Sequence, residues 1–486
     1  MENHVPFRLS VIMPVYNEQF TIIKVIRKIL EQEGKPGIST IQLVIVDDGS
    51  TDGSREIIRQ QAQLHSQIEV VFHEKNQGKT GAIRTGIDHA DGEVIVFQDA
   101  DLEYNPDDYS RLIRPIFEGN ADVVFGSRFL VAEYRRVLYF WHSVLNFFLT
   151  NLSNILTDLT LTDMETCYKM FRAPLLKSLP IRSEGFGLEP ELTSKIAKRN
   201  FRIYEVPISY KGRTYEEGKK ITWKDGCWAI YYIMKYWLID DCFKDSGGDV
   251  LHSMSLAPRF NRWMADVVRP FLGRKVLEIG AGTGNMTSRF LPRDEYIASE
   301  YDKHYLETLH SRFGHEGRAQ IRNLDLNEPD HFKDLMETQD SVICLNVLEH
   351  IEDDMSALKR MYQTLNPGGN LIILVPQGPE LFGSLDRAVG HFRRYTRADL
   401  EKKLIEAGFN VERIFDFNKP GVIGWFINGK LFGRTSLGKL PMKIYDHLVW
   451  LFKRIDTVLP WRGLSIIAIA SKSIPASSEK NGNAHE

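Results

Sequence analysis

Cysteine is scarce: four residues in 486, Cys167, Cys227, Cys242 and Cys344, with no CxxC spacing and no matched histidine pairs. That excludes a disulfide framework and a cysteine-based zinc site, and it suits reduced thiols in a cytosolic setting. Long hydrophobic runs are missing too, since no stretch reaches the roughly 18 unbroken apolar residues that a spanning helix needs. The N-terminus, MENHVPFRLS, lacks a basic region followed by an apolar core, so no secretory signal is expected. An excess of one charge is also lacking. A net charge of -3 gives no general attraction for polyanions, so nucleic acid is not an expected partner. A cytoplasmic location is expected.

What is present is ordinary globular composition, 43% hydrophobic and 26% charged, in a chain long enough for two or three cores. RLSVIMPVY, IQLVIVDD and VIVFQD are apolar runs that stop on polar or acidic residues before helical patterns. Alternation of this kind predicts an α/β fold with a mostly parallel sheet, whose ligand crevice lies at the carboxyl ends of the strands. The Gly/Ser/Asp cluster Asp245–Asp249 reads as a break, after which the alternation restarts at VLEIGAGTGN. Two domains are expected, 5–244 and 258–473, with a linker at 245–257 and a disordered polar tail at 474–486.

In VFQDADLE, Asp99 and Asp101 stand at a strand end, where paired carboxylates hold a hard divalent ion or, equally, cap a turn. VIMPVYNE, VDDGSTDGS, NQGKTGAIRTG, QDADLEYNP, VVFGSR and EVPISYKGRTYEEGKKI follow in order over about residues 8–240. Together they resemble the family 2 glycosyltransferases, in particular the dolichol-phosphate and polyprenyl-phosphate sugar transferases. The resemblance implies a GT-A fold and inverting transfer from a nucleoside-diphosphate sugar. It implies that Pro14, Tyr16, Glu18, Asp47 and Asp48 cradle the nucleoside and that Asp99 and Asp101, with Glu103 as third ligand, hold Mg²⁺ or Mn²⁺. Lys79, Arg128, Arg213 and Lys220 (or Lys219) would be the cations around the phosphates. A nucleotidyltransferase is the alternative enzyme class, against which the GSR and GRTYEEGKK motifs speak.

A hydroxyl acceptor needs a general base, for which Glu189 and Glu191 are candidates beside their role as helix N-terminal acids. A lipid phosphate arrives ionised and needs none. Residues 137–156, rich in aromatics and leucine behind Arg135-Arg136, suit either a core helix or one lying at a membrane interface. With the aromatic stretch Trp228 to Trp237, they favour peripheral contact with the cytoplasmic membrane face and a lipid phosphate acceptor.

LEIGAGTGNM places Glu278, Gly280, Gly282 and Gly284 at a strand-to-helix turn, and Glu300 ends the next strand about 20 residues on. With LDL around Asp325, LNVLEHI and LNPGG, the series over about residues 255–472 resembles the class I S-adenosylmethionine-dependent methyltransferases, of Rossmann-like fold. This implies Glu278 and the glycines beside the methionine part, Glu300 on the ribose, Asp325 at the adenine, and Asn346 with Leu348 near the methyl group. No metal is implied in this half. LDRAVGHFRRYT supplies Asp386 and His391 as methyl-acceptor candidates, beside Arg393, Arg394 and Tyr395; a structural histidine and salt-bridged arginines are the plainer reading. A non-catalytic, cofactor-binding scaffold is the alternative for this half.

Overall fold

The structure, a computed structural model, describes residues 5–130, 136–137, 139–212, 223–239, 241–242, 257–314, 319–433 and 439–474. It divides into two units, Met1–Lys244 and Asp245–Glu486. The expected linker up to 256, the tail from 475, and Arg135, Arg213, Lys219 and Lys220 lie outside the described residues. None of the four cysteines is in a disulfide.

In the first unit the apolar runs form strands buried on both faces, as parallel sheets covered by helices require. They are β1 (Phe7–Val15), β2 (Ile38–Asp47), β3 (Ile68–Phe72), β4 (Val94–Phe97), β5 (Val123–Ser127), β6 (Lys169–Arg172) and β7 (Ile203–Pro207), in the order β3-β2-β1-β4-β6-β5-β7. β6 runs antiparallel to β4 and β5. The helix Ile22–Leu30 shows the packing logic: Ile22, Val25, Ile26 and Ile29 make one buried stripe, each stabilising the fold by roughly 1.5–3 kcal/mol. β1 lies between β2 and β4, so the chain leaves it in opposite directions and a crevice opens at the carboxyl ends of β1 and β4.

The second unit has its own sheet: β8 (Lys275–Ile279), β9 (Glu295–Glu300), β10 (Gln320–Asn323), β11 (Gln339–Leu345), β12 (Leu365–Pro376), β13 (Asn410–Phe417) and β14 (Ser465–Ser471). The order is β10-β9-β8-β11-β12-β14-β13, with β14 antiparallel to both neighbours. Its reversal point lies between β8 and β11, below the glycine turn. Among the described residues, no helix is long and apolar enough to cross a membrane.

Candidate active sites

The loops leaving β1 and β2 are stitched together. Asn17 accepts from Thr51 N (2.8 Å) and donates its own N–H to Ser50, while Glu18 N donates to Ser54 and Gln19 N to Asp52. Asn17 sits in the left-handed region (φ 56), and Tyr16 beside it is exposed. Pro14 pairs with Val46 inside the sheet. Asp48 is buried and fully engaged: it accepts from Gln77 N and Gly78 N, both at 2.8 Å, and lies 2.7 Å from His73 Nδ1. It thereby caps the helix Gly78–His89 and ties it to β2. Asp47 spends Oδ2 on Arg55 at 2.5 Å, and its buried Oδ1 has no partner.

That capped helix carries Lys79 in its first turn and delivers Nζ to Asp99, 2.7 Å from Oδ1 and 3.0 Å from Oδ2. Burial opposes the Lys79 charge, yet Asp99, Cys167 and Glu189 raise its pKa well above that of ordinary lysine. Asp101 accepts from Glu103 N at 3.1 Å across Leu102, which is held at φ 63. A left-handed leucine is a genuine backbone outlier, and such outliers concentrate where a fold holds functional groups in place. Glu103 turns away to accept from Tyr210 OH at 2.6 Å. Among the described residues, the one group of three ligating side chains within 4.8 Å lies in the other unit, so Asp99, Asp101 and Glu103 do not converge as a three-ligand set.

Arg128 makes a bidentate pair with Asp163, Nε at 2.6 Å and Nη2 at 2.7 Å, and its guanidinium lies 5.2 Å from the centre of the Tyr210 ring. Arg128 is thus held in a largely buried ion pair. Asp163 opens a segment that motif reading passed over, Asp163–Lys169. Glu165 here is pushed up to about 8 by burial and by Glu189, and its Oε1 has no partner. Lys169 is fully buried against the carbonyls of Met164 and Thr166. The signal was available: acids and a lysine directly before an apolar strand are costly to bury unless they serve each other or a ligand.

The two base candidates separate. Glu191 is buried, accepting from Arg182 N, Ser183 N and Lys195 Nζ (2.7 Å), whereas Glu189 is half-buried within electrostatic reach of Lys79 and Glu165. Glu191→Gln is therefore expected to lower unfolding free energy by roughly 1–3 kcal/mol, the worth of hydrogen bonds to a charged group, with turnover unchanged at 20 °C. Chemical denaturation beside initial-rate assays checks this; a turnover loss at unchanged stability would return Glu191 to the chemistry.

The aromatic stretch forms the helix Phe140–Thr157, which packs on the helix Trp223–Leu238. Leu149, Ala229 and Ile233 fill their contact. Phe140 and Trp141, 70% and 75% exposed, stand out with Phe147, Phe148, Trp228 and Tyr231.

In the second unit Gly280, Gly282 and Gly284 have φ of 68, 56 and 80. A Cβ on Gly280 would lie 2.3 Å from Val347 Cγ2, so the turn needs glycine for both conformation and closeness. Glu300 Oε2 accepts from Gly282 N at 2.9 Å, and Oε1 from Tyr301 N and Asp302 N, bracing the turn from β9. Glu278 is buried, bonded by Thr287 and Tyr296 hydroxyls, and burial pushes it up to about 7. Asp325, half-buried, accepts from Asn327. Asn346, exposed at φ 54, follows β11, and Leu348 is buried behind it.

Asp386 lies 2.9 Å from His391 Nδ1 and accepts from Arg394 Nε at 2.7 Å and Gly383 N. Arg393 and Tyr395 both bind Asp354, so the arginines and the tyrosine of this loop are spent on structure. Beside them Glu349 is wholly buried, pushed up to about 8 by that burial, and His350 is lowered to about 4 by burial and by His391.

Residues 10–179 match the family model "Glycosyl transferase family 2", and residues 277–371 match "Methyltransferase domain". An undecaprenyl-phosphate 4-deoxy-4-formamido-L-arabinose transferase of Edwardsiella ictaluri is 28% identical over 212 residues, 43% of this chain and 62% of its own length. An uncharacterized protein of Methanocaldococcus jannaschii is 27% identical over 41% of this chain and 86% of its own. Two solved structures are similar over part of the chain. Glucosyl-3-phosphoglycerate synthase from Mycobacterium tuberculosis, with Mn²⁺, UDP and phosphoglyceric acid, has a TM-score of 0.38 at 22% identity, covering 48% of this chain and 80% of that one. A SAM-dependent methyltransferase from Archaeoglobus fulgidus has a TM-score of 0.31 at 17% identity, covering 44% and 94%. The chain thus matches the glycosyl transferase family 2 model within its first unit and a methyltransferase-domain model within its second.

Proposed function

We propose that the first unit transfers a sugar, with inversion, from a nucleoside-diphosphate sugar to a lipid phosphate of the polyprenyl or dolichyl type. The second unit, on this reading, methylates a related glycan or lipid with S-adenosylmethionine. The observation that carries the first activity is the pairing of Asp99 with Lys79 at the crevice beyond β4, with Asp101 in the turn that follows. The carboxylates of Asp99 and Asp101 are hard oxygen donors that fit Mg²⁺ or Mn²⁺, which when bound would neutralise the leaving diphosphate. Lys79 adds a fixed positive charge where negative charge develops, and Arg128 is held in place by Asp163.

A phosphate acceptor is supported by the name of the Edwardsiella relative, by the locked Glu191, and by the exposed aromatic helix pair. A hydroxyl acceptor would call on Glu189 instead. In the second unit the glycine turn is braced by Glu300 and held at positive φ, packed so closely on Val347 that a Cβ on Gly280 would clash, and such a glycine backbone fits the close approach of S-adenosylmethionine. Asp386 and His391 would hold the methyl acceptor.

Incubation with Mn²⁺, a panel of nucleotide sugars, polyprenyl phosphate and labelled S-adenosylmethionine, with lipid products followed by mass, tests both halves. A sugar-phosphoryl lipid is the expected product; transfer to a free sugar hydroxyl alone would overturn the acceptor class. The helix pair gives a separate expectation. Trp141→Ser with Phe147→Ser should weaken binding to anionic vesicles by roughly tenfold in a sedimentation assay, from the apolar area withdrawn from the interface.

A further inference from the structure

Among the described residues, Glu349, His350 and His391 are the one set of three side chains whose ligand atoms all lie within 4.8 Å of one another. Glu349 and His350 leave β11 in the short turn Leu348–His350, directly after the Val347 that packs on the glycine turn. His391 comes from the loop after the helix Ser384–Ala388. One backbone bond fixes that loop against the turn, Phe392 N donating to Glu349 O, and His391 N donates back to Asp386 O of that helix, both at 2.9 Å.

Three features distinguish this group from a chance cluster. Glu349 is 0% exposed, and neither of its carboxylate oxygens has a hydrogen-bond partner. A buried carboxylate left in that state costs several kcal/mol unless something else satisfies it. His391 Nε2 faces Glu349 Oε1 at 3.8 Å, and its ring lies 4.7 Å from that of His350. Ligands about 2.0–2.1 Å from a tetrahedral ion stand about 3.4 Å apart, so a shift of a few tenths of an ångström closes the pair around a metal. The other nitrogen of His391 is already bound by Asp386, which is itself held by Arg394 and the Gly383 N–H. A carboxylate behind the far nitrogen of a ligating imidazole is the arrangement that fixes the ring's tautomer and direction in metal sites.

We infer that Glu349, His350 and His391 form a divalent metal site in the methyltransferase unit. Two imidazoles and one carboxylate suit a borderline first-row ion such as Zn²⁺, Fe²⁺ or Mn²⁺. Three protein ligands leave a position open, and its occupant would be an oxygen of the methyl acceptor, whose hydroxyl becomes more acidic on the ion. The acceptor class is then an oxygen nucleophile. That last step rests on the proposed methyl transfer; ion binding itself does not.

The test uses the full chain with Asp99→Asn and Asp101→Asn, which removes the carboxylates of the first unit from the titration. After stripping with EDTA, Co²⁺ is titrated and followed by its visible absorption, then displaced by Zn²⁺. One Co²⁺ per chain is expected, with affinity reduced at least about tenfold by His350→Gln or His391→Gln and by a similar factor in Asp386→Asn. No binding, or binding that both histidine substitutions leave unchanged, overturns the inference. Because those variants can fail to fold, X-ray absorption on the zinc-loaded chain with native histidines gives an independent answer. Two imidazole nitrogens in the first shell support the site, and an oxygen-only shell overturns it. Methyl transfer is assayed separately: its absence from a chain that binds the ion counts against the methyltransferase reading alone.

Discussion

Asp101→Asn is expected to reduce glycosyl transfer on the order of a thousandfold, the loss that follows deletion of one preorganised charge-stabilising group. The substitution keeps the size of the side chain and an oxygen that can still accept from Glu103 N, so the turn through Leu102 survives. What disappears is a carboxylate charge at the crevice. Rates of labelled sugar transfer to polyprenyl phosphate in the presence of Mn²⁺ measure the effect. Calorimetry with S-adenosylmethionine on the same variant should return the unsubstituted affinity, because each unit has its own sheet and core. Near-normal transfer would remove Asp101 from the chemistry. Loss of both functions would mean that the two units fold or act as one.

Gly280→Ala should weaken S-adenosylmethionine binding on the order of a hundredfold. Holding a non-glycine residue at φ 68 costs roughly 1–2 kcal/mol. The new methyl group, 2.3 Å from Val347 Cγ2, adds an overpacking cost of roughly 1–3 kcal/mol. Both costs fall on the turn proposed to receive the ligand. Adding Val347→Ala relieves the clash and leaves the backbone strain, so the double variant should recover part of the affinity and no more. Full affinity in the single variant, by calorimetry, would show that the turn is not the cofactor cradle. Sugar transfer by the first unit should be unaltered in both.

Much of the fold was legible because its information is local. Apolar runs ending in acids or glycines marked strand ends in both units, and parallel sheets put ligands there. The pattern of buried positions in Ile22–Leu30 is a helical period that one segment carries by itself. Motif order, read along about residues 8–240 and 255–472, was enough to point to the two family models that residues 10–179 and 277–371 match.

Partnership was not legible, because it depends on which groups meet across the sheet. Asp47 and Asp48 look alike in VDDGS, yet one caps a helix through two N–H groups and the other keeps a buried oxygen without a partner. Glu189 and Glu191 likewise share a helix turn and differ in exposure and in what faces them. Arg128 and Asp163 are 35 positions apart, and Glu349 and His391 stand on separate loops. Local propensity and apolar period are properties of a segment, so the sequence alone determined the two sheets and the strand ends where chemistry would lie. Desolvation and pairing of charge are properties of a place, so only the tertiary structure decided that Asp99 meets Lys79, that Glu191 is spent on Lys195, and that two histidines close on a buried carboxylate.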